Sequence, residues 1–203
     1  MNDMGQLQHK KRMLRKVKLN NGGGATIEWQ DMYFDAESAS YVKTSDGRTS
    51  DALAHDDLKA AVGLFIEHLA IAAEEVAEPK GNYPFDQSIK GLEKYAVSSV
   101  TLRGGDSDPD GMEEPKPVQV FIFGNKRLKP GYKKNFGTYG IKLAITQEPY
   151  KFAVSLEQHV AALEAEAWAY LDGKHAPPAQ TALNLEAHDE ADGEEVRRLE
   201  EGE

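Results

Sequence analysis

From Val118 to Leu143 the chain reads VQVFIFGNKRLKPGYKKNFGTYGIKL, with six cations (Lys126, Arg127, Lys129, Lys133, Lys134 and Lys142) and no acid, in a protein of net charge -10. Phe121, Phe123, Tyr132, Phe136 and Tyr139 run through the same stretch. Cations that neutralise phosphates, interleaved with rings on which unpaired bases stack, are what sequence-tolerant binding of a single strand requires. The same pattern also fits a solvated hairpin whose rings face a core. On the first reading the contact residues are Phe121, Phe123, Lys126, Arg127, Lys129, Tyr132, Lys133, Lys134 and Phe136.

Other residues with chemistry-bearing side chains fall short of a site. Asp106, Asp108, Asp110 and Gly111 match the first half of a calcium loop, but the twelfth position is Pro117 where a bidentate glutamate belongs. The histidines (His9, His55, His68, His159, His175, His188) form no metal-binding spacing, and His68 and His159 fall on different predicted helices, so they meet only through the fold. No nucleophile elbow, phosphate-binding lysine loop or dinucleotide fingerprint is present, and Gly22–Gly24 lacks a following Gly-Lys-Ser/Thr. With no cysteine in the chain, disulfides and thiolate metal sites are ruled out. The expectation is a non-enzymatic protein without cofactor or metal.

Alternation predicts a strand over 13–19, a turn at Asn20–Gly24, and a strand from Ala25 that continues through Met32, Tyr33 and Phe34. A polar stretch around 41–50 precedes one amphipathic helix, capped by His55 or Asp56, with Leu58, Val62, Phe65, Leu69, Ala72 and Val76 on its apolar stripe. Gly91–Arg103 reads as a strand with a bulge, Val118–Phe123 as a second, and Phe136–Ile145 as its return after a turn at Pro130-Gly131. A last helix runs from about Ser155 to Leu171, with Ser155 and Gln158 as a capping box. The predicted fold is α+β: an antiparallel sheet, made of a hairpin plus a three-stranded meander, packed by two amphipathic helices. Alternation puts Gln119, Phe121 and Phe123 on one side of their strand and Val118, Val120 and Ile122 on the other. It does not say which side is open.

Charge is divided along the chain. Lys10, Lys11, Arg12, Arg15, Lys16 and Lys18 stand against Asp3 alone at the start, and residues 183–203 hold nine acids against Arg197 and Arg198. The expected organisation is a basic arm (1–12), one domain (13–176) and an acidic tail (177–203) that serves either as an interaction segment or as a solubilising terminus. No apolar run approaches the roughly 20 residues of a membrane span, and the basic N-terminus lacks the apolar stretch of a secretory signal, so a cytoplasmic location is expected. Residues Ala179–Leu185 resemble the short glutamine-led motif by which bacterial proteins dock on the replication sliding clamp, although the motif's aromatic end is replaced by Leu185-Glu186.

The order of parts resembles that of small proteins encoded among the early replication and recombination genes of tailed phages and prophages. The resemblance rests on a short hairpin, a helix, a strand ending VTLRGG, a strand followed by FGNKRLK, an alternating strand toward GIKL, and a helix ending AWAYLDGK before an AQ-containing tail. It implies DNA metabolism or control of a host cell as context. The leading expectation is a phage-type accessory protein that binds single-stranded nucleic acid, assisted by the basic arm. The competing expectation is an adaptor or inhibitor that meets a replication or host protein through residues 179–203 or the sheet surface.

Overall fold

The computed structural model describes residues 11–35, 40–79, 89–104, 118–143 and 150–177. The calcium-like loop at Asp106–Gly111, the clamp-like segment and the acidic tail lie outside them.

Among the described residues seven strands form one antiparallel sheet: β1 (Lys11–Leu19), β2 (Ala25–Asp35), β3 (Ser40–Ser50), β4 (Tyr95–Arg103), β5 (Gln119–Lys129), β6 (Tyr132–Gly137) and β7 (Ile141–Lys142). Their order is β3-β2-β1-β4-β5-β6, and β7 pairs with the start of β5 beside β6. The predicted hairpin and meander are thus joined into a single sheet by β1 against β4, in register Lys16↔Thr101, Val17↔Val100 and Lys18↔Ser99. Arg12, which composition groups with the basic arm, lies in β1. Its guanidinium sits over the rings of Trp29 and Trp168 and bonds Asp31 at 2.9 Å.

Among the described residues three helices cover one face: α1 (Asp56–Gly63), α2 (Ile66–Ala72) and α3 (Ala153–Leu171). The single helix predicted from His55 onward is therefore two. Gly63, a poor helix former, precedes a tight turn in which the Phe65 amide bonds the Val62 carbonyl, yet Leu58, Val62, Phe65 and Leu69 stay on one buried stripe. His55 is the cap, its Nδ1 accepting from the Leu58 amide at 3.1 Å.

The core forms where Leu14, Val17, Ile27, Val100, Leu102, Val120 and Ile122 of the sheet meet that stripe and Leu156, Val160, Leu163 and Tyr170 of α3. The Tyr170 hydroxyl donates to the Ala52 carbonyl at 2.6 Å and accepts from the Ala25 amide at 3.3 Å, which fastens α3 to the β2 end of the sheet.

Three further sequence expectations are corrected. The polar stretch at 41–50 is strand β3, an edge strand whose pairing with β2 from Ala25↔Ser50 to Asp35↔Ser40 supplies the order that its composition does not signal. Ser155 does not cap α3: the helix starts earlier, and the Ser155 hydroxyl donates to the Phe152 carbonyl at 2.9 Å. The return strand expected over 136–145 is, over its described residues, the end of β6 and the short β7. Between them the Thr138 amide donates to the Ile122 carbonyl and its hydroxyl accepts from the Ile122 amide, which takes the chain out of the ladder. The bulge predicted in 91–103 is present, at the register shift between Val97 and Ser99. Among the described residues no helix is long and apolar enough to cross a membrane.

Candidate nucleic-acid interface

Strand alternation separates the residues of β5 and β6 into two sets. Val120, Ile122 and Gly124 point toward the helices; a Cβ on Gly124 would come within 2.6 Å of Leu69 of α2. Gln119, Phe121, Phe123, Asn125 and Arg127 therefore point away from them. Cross-strand register extends that outer face: Ser99, Thr101 and Arg103 on β4, Lys133, Asn135 and Gly137 on β6, and Lys142 on β7. No strand from β4 to β7 contains an aspartate or glutamate.

The outer rings are seated on glycines. A Cβ on Gly137 would lie 2.5 Å from the Phe123 ring, and one on Gly140 would lie 2.8 Å from the Phe121 ring, so both rings lean over the backbone between β6 and β7. Phe123 is 45% exposed, and Tyr139, between the two glycines, is 92% exposed. The Arg103 guanidinium lies 4.8 Å from the centre of the Phe121 ring, so Phe121 carries a cation on its face, whereas among the described residues no cation lies over Phe123.

Among the described residues no carboxylate pairs with Lys18, Arg103, Arg127, Lys133 or Lys142, all of which are exposed. Lys16, in the same face through its register with Thr101, is paired with Glu28 at 2.8 Å.

The inner set is arranged differently. Lys126 and Lys134, opposite one another in the ladder, both bond Glu75, at 2.9 and 2.5 Å. Glu75 follows α2 after a turn in which Glu74 takes a positive φ of 57° and the Glu75 amide reaches back to the Ala70 carbonyl. The two ammonium groups hold the Glu75 carboxyl below its ordinary pKa. Phe136 packs edge-on against Tyr95 on this inner side, with ring centres 6.1 Å apart, and Lys126 lies over the Tyr95 ring.

The nine residues read from the sequence thus fall into three groups. Phe121, Phe123, Arg127 and Lys133 share the open face. Lys129 and Tyr132 lie exposed at the hairpin tip. Lys126, Lys134 and Phe136 belong to the helix side. Sequence reasoning left out Arg103, Lys18, Lys142 and Tyr139. Arg103 ends the strand predicted over Gly91–Arg103 and follows buried Leu102, which turns it outward, but the adjacency of β1 to β4 that brings in Lys18 has no local signal.

Two further polar clusters lie among the described residues. His55, Asp57 and Glu166 place ligand-type atoms within 4.8 Å of one another. Because His55 Nδ1 accepts the Leu58 amide, the neutral ring carries its proton on Nε2, which faces Glu166 at 3.6 Å with no lone pair to offer a metal. The Lys174 ammonium already bridges Asp57 at 2.8 Å and Glu166 at 2.7 Å. The second cluster joins His68 and His159, as the fold alone allowed, at 3.1 Å, with Tyr150 on the other His68 nitrogen at 3.0 Å. Burial, with His159 adjacent, pushes the His68 pKa down to about 3, and burial pushes the Tyr150 hydroxyl above its ordinary value.

Compared with known proteins, the chain matches no family model, no curated protein and no solved structure.

Proposed function

We propose that this protein binds single-stranded nucleic acid on the face of the sheet opposite its helices, as an accessory rather than catalytic component of DNA metabolism. The observation that carries the reading is the sorting of charge: in a chain of net charge -10, the strands β4 to β7 present cations, amides and rings on their open face and, among the described residues, contain not one carboxylate. A face of this kind attracts phosphates while the rest of the molecule repels them, and its rings give bases a surface that water leaves cheaply. The resemblance to phage early-region proteins favours the same context.

Fluorescence anisotropy with labelled oligonucleotides at several salt concentrations tests it. For three to five neutralised phosphates the slope of log affinity against log salt is about -2 to -3.5. Absence of binding at low salt would defeat the reading.

A further inference from the structure

We infer that the bound strand runs lengthwise along β5, with two adjacent bases over Phe121 and Phe123 and its flanking phosphates held by one pair of cations at each end. The inference rests on the reading above and specifies the ligand as an extended, unpaired strand.

Five outward residues follow one another along β5: Gln119, Phe121, Phe123, Asn125 and Arg127. Outward neighbours on a strand stand about 6.7 Å apart. An extended, unstacked nucleic-acid strand advances by a similar step, roughly twice the 3.4 Å that separates stacked bases on one strand of a duplex. Bases of a duplex would meet neither ring, because their faces are already covered. Consecutive unpaired bases match the Phe121–Phe123 spacing without strain in either partner.

Cations stand at the two ends of this row. Gln119 lies between Arg103 on β4 and Lys142 on β7, and Arg127 lies opposite Lys133 on β6. From Gln119 to Arg127 is about 27 Å of strand, the length of about four nucleotide steps. Gln119 and Asn125, next to the rings on either side, offer amide groups to base edges.

A path across the sheet is poorer in both kinds of contact. The row through Phe123 is Lys18, Ser99, Phe123 and Gly137, with one ring and one cation. The row through Phe121 is Lys16, Thr101 and Phe121, and Lys16 is neutralised by Glu28 on the same face. Only the lengthwise path meets two rings and two cation pairs.

The test uses the full chain, oligothymidylates of two to twelve nucleotides, and two variants, Arg103→Gln/Lys142→Gln and Arg127→Gln/Lys133→Gln. All four positions are exposed and none is in the core, and thermal melts report whether each variant retains the wild-type fold. Wild-type affinity should rise steeply with length to about five nucleotides and then flatten to the slow statistical gain of extra registers. With the eight-nucleotide probe each variant should lose about 1.4 units of salt slope, for two phosphate contacts. If the wild type binds and either variant keeps the wild-type slope, the lengthwise path is wrong although the protein is a binder. If the wild type binds no length at low salt, both the path and the proposed function fall.

Discussion

The two sides of the β5–β6 hairpin carry the same residue types to opposite ends. On the helix side Lys126 and Lys134 are closed on Glu75 and Phe136 is packed on Tyr95. On the open side Arg127 and Lys133 face water, and Phe123 lies bare over Gly137. Lys133 and Lys134, adjacent in the chain, and Phe123 and Phe136, thirteen positions apart, therefore differ not in chemistry but in what stands opposite them. The inner set spends its charge on anchoring the hairpin to the end of α2. The outer set keeps its charge available for a ligand.

The largest difference between the sides is expected in acid. His68 is buried on the helix side, and its folded pKa of about 3 lies below the ordinary 6.5, so the neutral ring is the form that the fold favours. That preference contributes fully above pH 6.5 and is lost progressively as pH falls from 6.5 toward 3, by about 2–3 kcal/mol at pH 4.5. Melting temperatures measured across this range should drop, and a flat profile from pH 7 to 4.5 would mean that His68 is not buried beneath the helices. The open face, whose cations are lysines and arginines, should bind oligonucleotides equally well at pH 6 and pH 8.

Exchange of the two phenylalanines comes next. Phe123→Ala should lower oligonucleotide affinity by about 1–3 kcal/mol and leave stability within about 0.5 kcal/mol. Phe136→Ala should do the reverse, costing about 2 kcal/mol in denaturant unfolding through lost packing on Tyr95. Equal effects of both on binding would erase the distinction between the faces.

Glu75→Gln should then sharpen it. With the carboxylate gone, Lys126 and Lys134 are free to meet phosphate, so affinity at low salt should rise a few-fold while the hairpin loosens and exchanges its amide hydrogens faster. Unchanged exchange in β6 would show that the clamp does not hold the hairpin. The smallest effect concerns the turn that presents Glu75: Glu74→Gly removes the side chain from a left-handed position and should stabilise the fold by up to about 1 kcal/mol, read from the denaturation midpoint.

How far the sequence could be read followed the strength of local signals. Val100, Leu102, Val120 and Ile122 announced their strands because alternation is written in the residues themselves. β3 did not, since an edge strand dominated by Ser, Thr and charged residues is ordered by its ladder to β2 rather than by a face it buries. The break at Gly63 was hidden because the apolar stripe runs on through both helices. For the candidate site, the cations and rings were visible at once, but they were grouped by nearness in sequence, and nearness along a strand places alternate residues on opposite faces.

The amino-acid sequence alone determined that a positively charged, ring-bearing hairpin exists, that its residues divide into two sets with a period of two, and that acid is concentrated elsewhere. These are properties of short stretches of backbone and need no partner to be defined. Only the tertiary structure decided which set is covered, that Glu75 meets Lys126 from 51 positions away, that His68 finds His159 across 91, and that β1 lies beside β4. Such meetings depend on how helices and strands close against one another over long separations, where burial of the apolar stripe as a whole outweighs the preference of any single residue.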